Sequence, residues 1–255
     1  MPIDRSLWKI PFQENRAPDW PCPRCGVGLL RLIEGSFKCA ELADSRQITK
    51  REDLDPVSIN YSYSAMFECN NEACKECVSS CGRGNVIEDY TYDEDGHPDL
   101  DYSTVFTPEY FHPSLIILSI PLECPTEVAE EITSSFKLFF CDPAASANHV
   151  RKCIENILTD KGVKRFRMSS GKRRFVGLHQ RITLYQSGQP DVTERLLAIK
   201  WLGNEGSHAG EITRDDVLDA YEILETVIDD LYVGYGKSVK KKVAVINKRK
   251  RPLKR

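Results

Sequence analysis

Cysteines occur in this chain in two short clusters whose spacing is typical of a metal site. The first is Cys22-Pro-Arg-Cys25-Gly26, in which two thiols flank a tight turn and a glycine follows. A pair of this kind supplies two of the four ligands that a tetrahedral structural zinc requires. The second cluster contains Cys69, Cys74, Cys77 and Cys81, of which Cys69 and Cys74 are the preferred pair. We predict that Cys22, Cys25, Cys69 and Cys74 bind one structural Zn²⁺.

The choice of ligands within the second cluster, CNNEACKECVSSC, depends on the segments around it. Residues 61–67 have the alternation of a strand that ends just before Cys69, and residues 70–73 are typical of a turn. Cys77 remains the alternative to Cys74, because Cys74-x-x-Cys77 repeats the spacing of the first cluster. A further alternative is that all of these cysteines are buried free thiols.

A second group of polar side chains ends the segment RLLAIKWLGNEGSH, residues 195–208. Leu196 and Ile199 predict the last turns of an apolar helix, and the glycines after it allow the backbone to bend. An amide (Asn204), a carboxylate, a hydroxyl and an imidazole (His208) follow within five positions. A helix end with so many polar groups is either a capped terminus or a functional site.

The charge is unevenly distributed along the 255 residues. Residues 237–255 contain ten Lys or Arg and no acid, so the remaining 25 basic and 38 acidic residues give residues 1–236 a net charge of −13. Such a basic tail could bind nucleic acid or fold back on its own acidic body. The polar N-terminal segment and the lack of an apolar run of ~20 residues predict a cytoplasmic protein without a membrane anchor.

Residues 1–112 have the pattern of a β-rich module. Apolar and polar residues alternate at 58–67, and a strand pattern at 85–92 precedes a turn signal at 93–96. Seven acids between Glu88 and Asp101 predict a solvated loop. We therefore predict a zinc-stapled antiparallel sheet, in which metal binding supplies folding energy on the order of 10 kcal/mol.

After residue 112 the apolar period changes from 2 to 3.6, which predicts helices. We expect Thr126 to cap the first helix and Asp142 the second. Residues 164–174, with six Lys or Arg, are expected to be a basic connection to a helix at 175–185. A later helix should begin at Thr213 with a capping-box pattern.

The expected fold class is therefore α+β. A β module at residues 1–112 is followed by an all-α bundle at 113–235 and by a basic tail at 236–255. Val243 and Ile246 in this tail could form a short strand that docks on this protein or on a partner.

Two stretches of the helical half resemble a known bacterial family, domain of unknown function 4145. They are VRKCIENIL at residues 150–158, and residues 196–208, which end in GNEGSH before a long acidic amphipathic helix. The resemblance covers roughly residues 113–233, and members of that family often carry an N-terminal knuckle like the one at Cys22–Gly26. The family is in turn similar to the HEPN superfamily of helical, nucleic-acid-associated domains.

This resemblance implies a HEPN-like bundle, a homodimer through the helical half, and a role in bacterial defence or toxin systems. Many HEPN domains are metal-independent RNases with an Arg, a polar residue and a His at one helix end. Here Asn204 matches the polar residue and His208 the His, whereas Gly203 occupies the Arg position. RNA cleavage needs an acid–base group and a cation on the phosphate, so Arg151, with Glu155 one turn on, is the expected substitute.

Two alternatives to catalysis follow from the same residues. Arg151 and Glu155 could form an i, i+4 pair that locks the turn at 204–208 structurally. The protein could also be a non-catalytic nucleic-acid-binding or adaptor module, using the tail and the 164–174 connection on phosphates, with RNA favoured over DNA. We expect a defence-system protein as a partner and no association with a membrane.

Overall fold

The computed structural model describes residues 3–9, 11–48, 55–92, 98–185, 189–205 and 212–250. The chain divides into two compact units, one formed by Asp4–Ile116 and one whose continuous part is Ile117–Arg255. The first unit contains an antiparallel sheet and the second is mainly helical. Each unit carries one of the two groups of polar residues that the sequence singles out.

The first unit is built on an antiparallel sheet with the strand order β1-β3-β4-β5, in which β2 also pairs with β3. Two short helices, α1 and α2, and a 3₁₀ turn at Pro56–Ser58 complete the unit. The bounds are α1 Ser6–Lys9, β1 Leu30–Leu32, β2 Lys38–Glu41, α2 Ala43–Ile48, β3 Asn60–Cys69, β4 Cys77–Tyr92 and β5 Pro98–His112. The prediction of an N-terminal antiparallel sheet is confirmed.

Strands β4 and β5 form a long hairpin that extends beyond the rest of the sheet. Strand β3 pairs with β4 only as far as Asn85, so among the described strands residues 86–92 pair with β5 alone. Directly paired residues share a face, which puts exposed Tyr90, Leu100 and Tyr102 together on one side of this ribbon. The acidic segment 88–101, predicted to be a solvated loop, is therefore largely strand. Residues 93–97 lie outside the described residues.

An aromatic core packs against the sheet and includes residues of the irregular N-terminal segment. Phe12 makes edge-to-face contacts with Trp20 at 5.5 Å and Tyr63 at 5.6 Å between ring centroids. The indole Nε1 of Trp20 donates to the Leu7 carbonyl oxygen at 2.8 Å. These buried rings anchor the segment that leads into the first cysteine pair.

The second unit contains six helices among the described residues. Their bounds are α3 Thr126–Leu138, α4 Pro143–Asp160, α5 Leu178–Tyr185, α6 Pro190–Glu205, α7 Arg214–Ile228 and α8 Tyr235–Arg249. A π-helical turn at Asp229–Val233 follows α7.

The helix starts differ in how well local sequence predicts them. Asp142 caps α4 by accepting from the Ala145 amide at 2.8 Å, and Thr213 and Asp216 form the capping box of α7. The cap predicted for α3 is wrong, because Thr126 is already helical, Pro125 occupies the cap position and no side chain caps this end.

Buried hydroxyl groups link three of these helices. Ser135 of α3, Ser146 of α4 and Tyr221 of α7 form a closed set of hydrogen bonds with O···O distances of 2.7 to 3.0 Å. The network satisfies three polar groups that would otherwise be costly to bury and fixes how α3, α4 and α7 pack.

The expectation of an all-α second unit is wrong at one place. Residues 164–174 were predicted to be a connection and Phe175 to begin a helix, but residues 166–175 form an antiparallel hairpin of β6 Phe166–Ser169 and β7 Lys172–Phe175. Ser170 and Gly171 between the strands both have positive φ, of 50° and 74°, as a two-residue type I′ turn requires. The chain then enters α5 at Leu178, three residues later than predicted.

The basic tail also differs from its expected form. Val243 and Ile246 lie on helix α8, not on a strand. With Val239 they are spaced four and three residues apart, so they share one exposed helical face. Helix α8 is thus amphipathic, with an apolar stripe and many basic residues.

Candidate functional site

Two loops of the first unit bring the four predicted cysteine ligands together. Cys22 and Cys25 precede β1, whereas Cys69 ends β3 and Cys74 lies in the β3–β4 turn. The two loops are similar locally, because the residue after the second cysteine of each pair has positive φ: 65° at Gly26 and 50° at Lys75. Pairing of β1 with β3, Leu30 opposite Cys69, holds the loops side by side.

The four sulfur atoms have the separations of a tetrahedral metal site. All four Sγ atoms lie within 4.8 Å of one another. The Cys22–Cys74 and Cys25–Cys69 sulfur distances are 3.8 and 3.7 Å. A tetrahedron with Zn–S bonds of about 2.3 Å has edges of about 3.8 Å. The cysteine set therefore fits a tetrahedral metal ion, as the sequence predicted.

Backbone amides point at three of these sulfurs. The amides of Arg24, Gly28 and Asn71 approach Cys22, Cys25 and Cys69 Sγ at 3.4, 3.3 and 3.4 Å respectively. Hydrogen bonds from the Gly28 and Val27 amides lower the pKa of Cys25 to about 6, whereas burial raises the pKa of Cys69 to about 12. Amide donors of this kind stabilise thiolate ligands around a bound cation.

The alternative ligand Cys77 lies outside this cluster. It is exposed at the start of β4, where it pairs with Glu68. The cluster instead includes Cys74, which the Asn71 carbonyl positions by accepting from its amide at 2.8 Å. Cysteine spacing alone did not decide whether Cys74 or Cys77 is the fourth ligand. The structure favours Cys74, because Cys77 begins strand β4 and lies outside the cluster.

Two cations lie close together in the helical unit, Arg151 on α4 and Lys200 on α6. The Nε of Arg151 is buried without a hydrogen-bond partner among the described residues. Lys200 is only 7% exposed, and its Nζ lies 3.4 Å from the centroid of the Trp201 ring. Burial, and next the positive charge of Arg151, lower the pKa of Lys200. Both effects disfavour the charged form of Lys200.

The other predicted catalytic residues have different positions. Asn204 is in the last turn of α6, the helix that carries Lys200, whereas His208 lies outside the described residues. Glu155 is not ion-paired with Arg151 among the described contacts; its charge instead acts on Arg181, a buried residue whose pKa is lowered mainly by burial. Arg195 forms an ion pair with Asp230 and so has a structural partner.

The sequence contained signals for two features that were missed. Lys200 follows Leu196 by four residues, so it falls on the apolar face of α6 and had to be buried. The hairpin begins with the alternating residues Phe166, Arg167 and Met168 and contains the turn dipeptide Ser170-Gly171. The first signal follows from the helical period of α6, whereas the second departs from the 3.6-residue period predicted for the second unit.

Comparisons with known proteins match each unit to a family model. Residues 10–111 match the model described as Domain of unknown function (DUF8608), and residues 133–249 match Domain of unknown function (DUF4145). The second match supports the resemblance found in the sequence. No curated protein and no solved structure matches the chain. Among the described helices, none is sufficiently long and apolar to span a membrane.

Proposed function

We propose that this protein binds nucleic acid, RNA in preference to DNA, through its helical unit, while the cysteine cluster holds a structural Zn²⁺. The observation that carries the proposal is the charge of residues 161–190, which include eight Lys or Arg and no acid. Four of the eight, Arg167, Lys172, Arg173 and Arg174, are exposed on hairpin β6–β7. Cations on an exposed strand pair can neutralise successive phosphates of a nucleic acid.

Helix α8 provides a second basic surface. Lys242, Lys248 and Arg249 are exposed on it, and its described stretch contains no acid. By unit, residues 1–116 carry 20 acids and 11 Lys or Arg, net −9, whereas residues 117–255 carry 18 acids and 24 Lys or Arg, net +6. This imbalance favours the second unit as the part that contacts a polyanion.

The Zn²⁺ in the proposal is structural because the four cysteines leave no open coordination position. Closed four-sulfur sites stabilise a fold, whereas catalytic zinc sites keep one position for water or substrate. When bound, the ion would join the loop before β1 to the end of β3. Its role is to hold the sheet, and no reaction step passes through it.

A binding experiment tests the nucleic-acid proposal directly. Fluorescence anisotropy with a labelled single-stranded RNA should give saturable binding by the wild type. Arg151→Gln should weaken that binding, because it removes a half-buried cation held without an acidic partner among the described residues. Lys152→Gln, an exposed neighbour on α4, is the charge-matched control and should have a smaller effect. Absence of any binding would refute the proposal.

A second candidate function is metal-independent RNA cleavage, favoured by two cations: Lys200 on α6, the helix whose last turn contains Asn204, and Arg151 on neighbouring α4. In this scheme His208 accepts the proton of the 2′-hydroxyl as its oxygen bonds to phosphorus, the P–O5′ bond breaks, and the leaving 5′-oxygen takes a proton from water. The cations stabilise the negative charge of the phosphorane. Cleavage of labelled tRNA in EDTA should be abolished by His208→Ala and retained by His179→Ala. Equal cleavage by the His208 variant would contradict the assignment.

The proposal also includes a homodimer through the helical unit, as the family resemblance implies. An apolar groove of about 500 Å³ between α6 and α7 is lined by Trp201, Leu202 and Ile223, and Trp201 is 55% exposed. Sedimentation should give twice the 29.0 kDa chain mass, and Trp201→Glu should reduce it to one chain. A monomeric wild type would contradict this part. A defence or toxin setting remains the expected context.

A further inference from the structure

A cleft of about 890 Å³ opens beside hairpin β6–β7, between the hairpin and the ends of α4 and α5. Its lining is apolar where Val163, Val176 and Leu184 meet, and Tyr185 adds a ring. Ligand sites for small organic groups typically occupy ~300–1,000 Å³, so this cleft has the volume for a nucleotide-sized group.

The hairpin presents large apolar side chains to solvent beside this cleft. Phe166, Met168 and Phe175 are 40%, 70% and 64% exposed. The two phenyl rings contact edge to face at 5.7 Å, and the Arg173 guanidinium lies 4.0 Å from the Phe166 centroid. Three such residues exposed on one short hairpin are unusual in a soluble unit and mark a binding surface.

Three cations line the cleft, and one of them, Lys161, is ion-paired with Asp160 at 3.0 Å. The other two, Lys164 and Arg167, are exposed and form no ion pair with any described residue. In contrast, neighbouring Arg165 is committed to the fold, donating to Asn156 Oδ1 at 3.0 Å and Thr159 Oγ1 at 3.2 Å. The cleft thus combines apolar walls with two free cations at its edge.

We infer that this cleft binds an unpaired base of a single-stranded nucleic acid, stacked against Phe166, with Lys164 and Arg167 on the adjacent phosphates. The inference rests on the proposed nucleic-acid binding and adds how the strand is held. Aromatic side chains in a basic groove bind single strands because every base has a π face. A duplex offers its phosphates but keeps its bases stacked inside, so the cleft discriminates against it.

An abasic strand separates base contacts from phosphate contacts. Two labelled RNA strands of equal length are compared, one normal and one with abasic nucleotides in its centre. The wild type should bind the normal strand roughly 5- to 150-fold more tightly, which is the range expected for stacking of one base. Phe166→Leu keeps an apolar side chain but removes the ring, so it should bind both strands with similar affinity.

The cations should act differently from the ring. Lys164→Gln with Arg167→Gln should weaken binding of both strands by the same factor, because both retain their phosphates. Lys137→Gln with Lys152→Gln removes the same charge from exposed positions on α3 and α4 and is the matched control. Circular dichroism of each variant shows whether the helices are intact.

Each outcome has one meaning. If the wild type binds normal and abasic strands equally, the base-binding cleft is refuted while nucleic-acid binding stands. If neither strand binds, the proposed function fails and the inference with it. If Phe166→Leu retains the wild-type preference, or if the wild type binds phosphatidylserine vesicles and no strand, the assignment of the cleft to a nucleobase is overturned.

Discussion

Gly28 lies where any larger residue would disturb the cysteine cluster. A Cβ at this position would be 2.4 Å from Cys69 Sγ and 2.9 Å from Asn71 Cβ, both closer than real atoms approach. The Gly28 amide also donates to Cys25 Sγ. One small residue thus lets both loops approach the same metal position.

We expect Gly28→Ala to lower zinc affinity by about 10- to 100-fold, the effect typical of changes around the first ligands. The measurement is zinc retention against increasing chelator, together with a thermal melt. Gly177→Ala is the control, because a Cβ there meets nothing within 4 Å. Unchanged zinc retention in Gly28→Ala would show that the two loops are not held as close as described.

Serine replacements should separate the two candidates for the fourth ligand. Cys74→Ser removes a sulfur that lies 3.8 Å from Cys22 Sγ, so we expect loss of the metal or a marked fall in its affinity. Cys77→Ser changes an exposed strand residue and should retain one zinc per chain. Native mass spectrometry measures both, and the reverse pattern would make Cys77 the ligand.

Among the elements, capped helices were the most predictable and the hairpin the least. A cap is a closed hydrogen-bonded set within four residues, so Asp142 and Thr213 could be recognised locally. Thr126 has the right side chain, but the chain turns one residue earlier, at Pro125. The hairpin at 166–175 requires a positive φ at Ser170, and a serine does not by itself predict that backbone conformation.

The site residues show the same division between local and tertiary information. Four cysteines were predictable because each pair is fixed by its own short loop. Lys200 was not, because its closeness to Arg151 arises from the packing of α6 on α4. The exposure of Phe166 and Phe175 on the hairpin was not predictable either, because it follows from the fold and not from residue type.

The capping box of α7 should contribute measurably to stability. Thr213→Ala should cost about 1 kcal/mol of unfolding free energy, because it leaves the Asp216 amide without its acceptor. Hydrogen bonds from the Thr213 side chain and backbone lower the pKa of Asp216 below 3.8. A lowered folded pKa means that this contribution is present above pH ~4 and is lost as pH falls further. Urea titrations at pH 7 and pH 3 measure the unfolding free energy of wild type and Thr213→Ala. The same difference in unfolding free energy at both pH values would contradict the dependence of the capping box on ionised Asp216.

At the scale of the whole molecule, charge and chemistry divide between the two units. The first unit is acidic, carries the cysteine cluster, and extends the β4–β5 ribbon with its exposed Tyr90 and Tyr102. The second carries the excess positive charge, concentrated on the β6–β7 hairpin and on α8. On these features we propose that a unit able to hold a metal ion is joined to a unit that binds polyanions.

The central claim, that the second unit binds nucleic-acid phosphates, is tested most directly by the salt dependence of RNA affinity. Each phosphate neutralised on a single strand contributes about −0.7 to the slope of log K against log salt, so contacts by Arg151, Lys164 and Arg167 predict a slope of about −2 or steeper. Lys164→Gln with Arg167→Gln should reduce the slope by about 1.4. A slope near zero in the wild type, or one unchanged in this variant, would contradict the account.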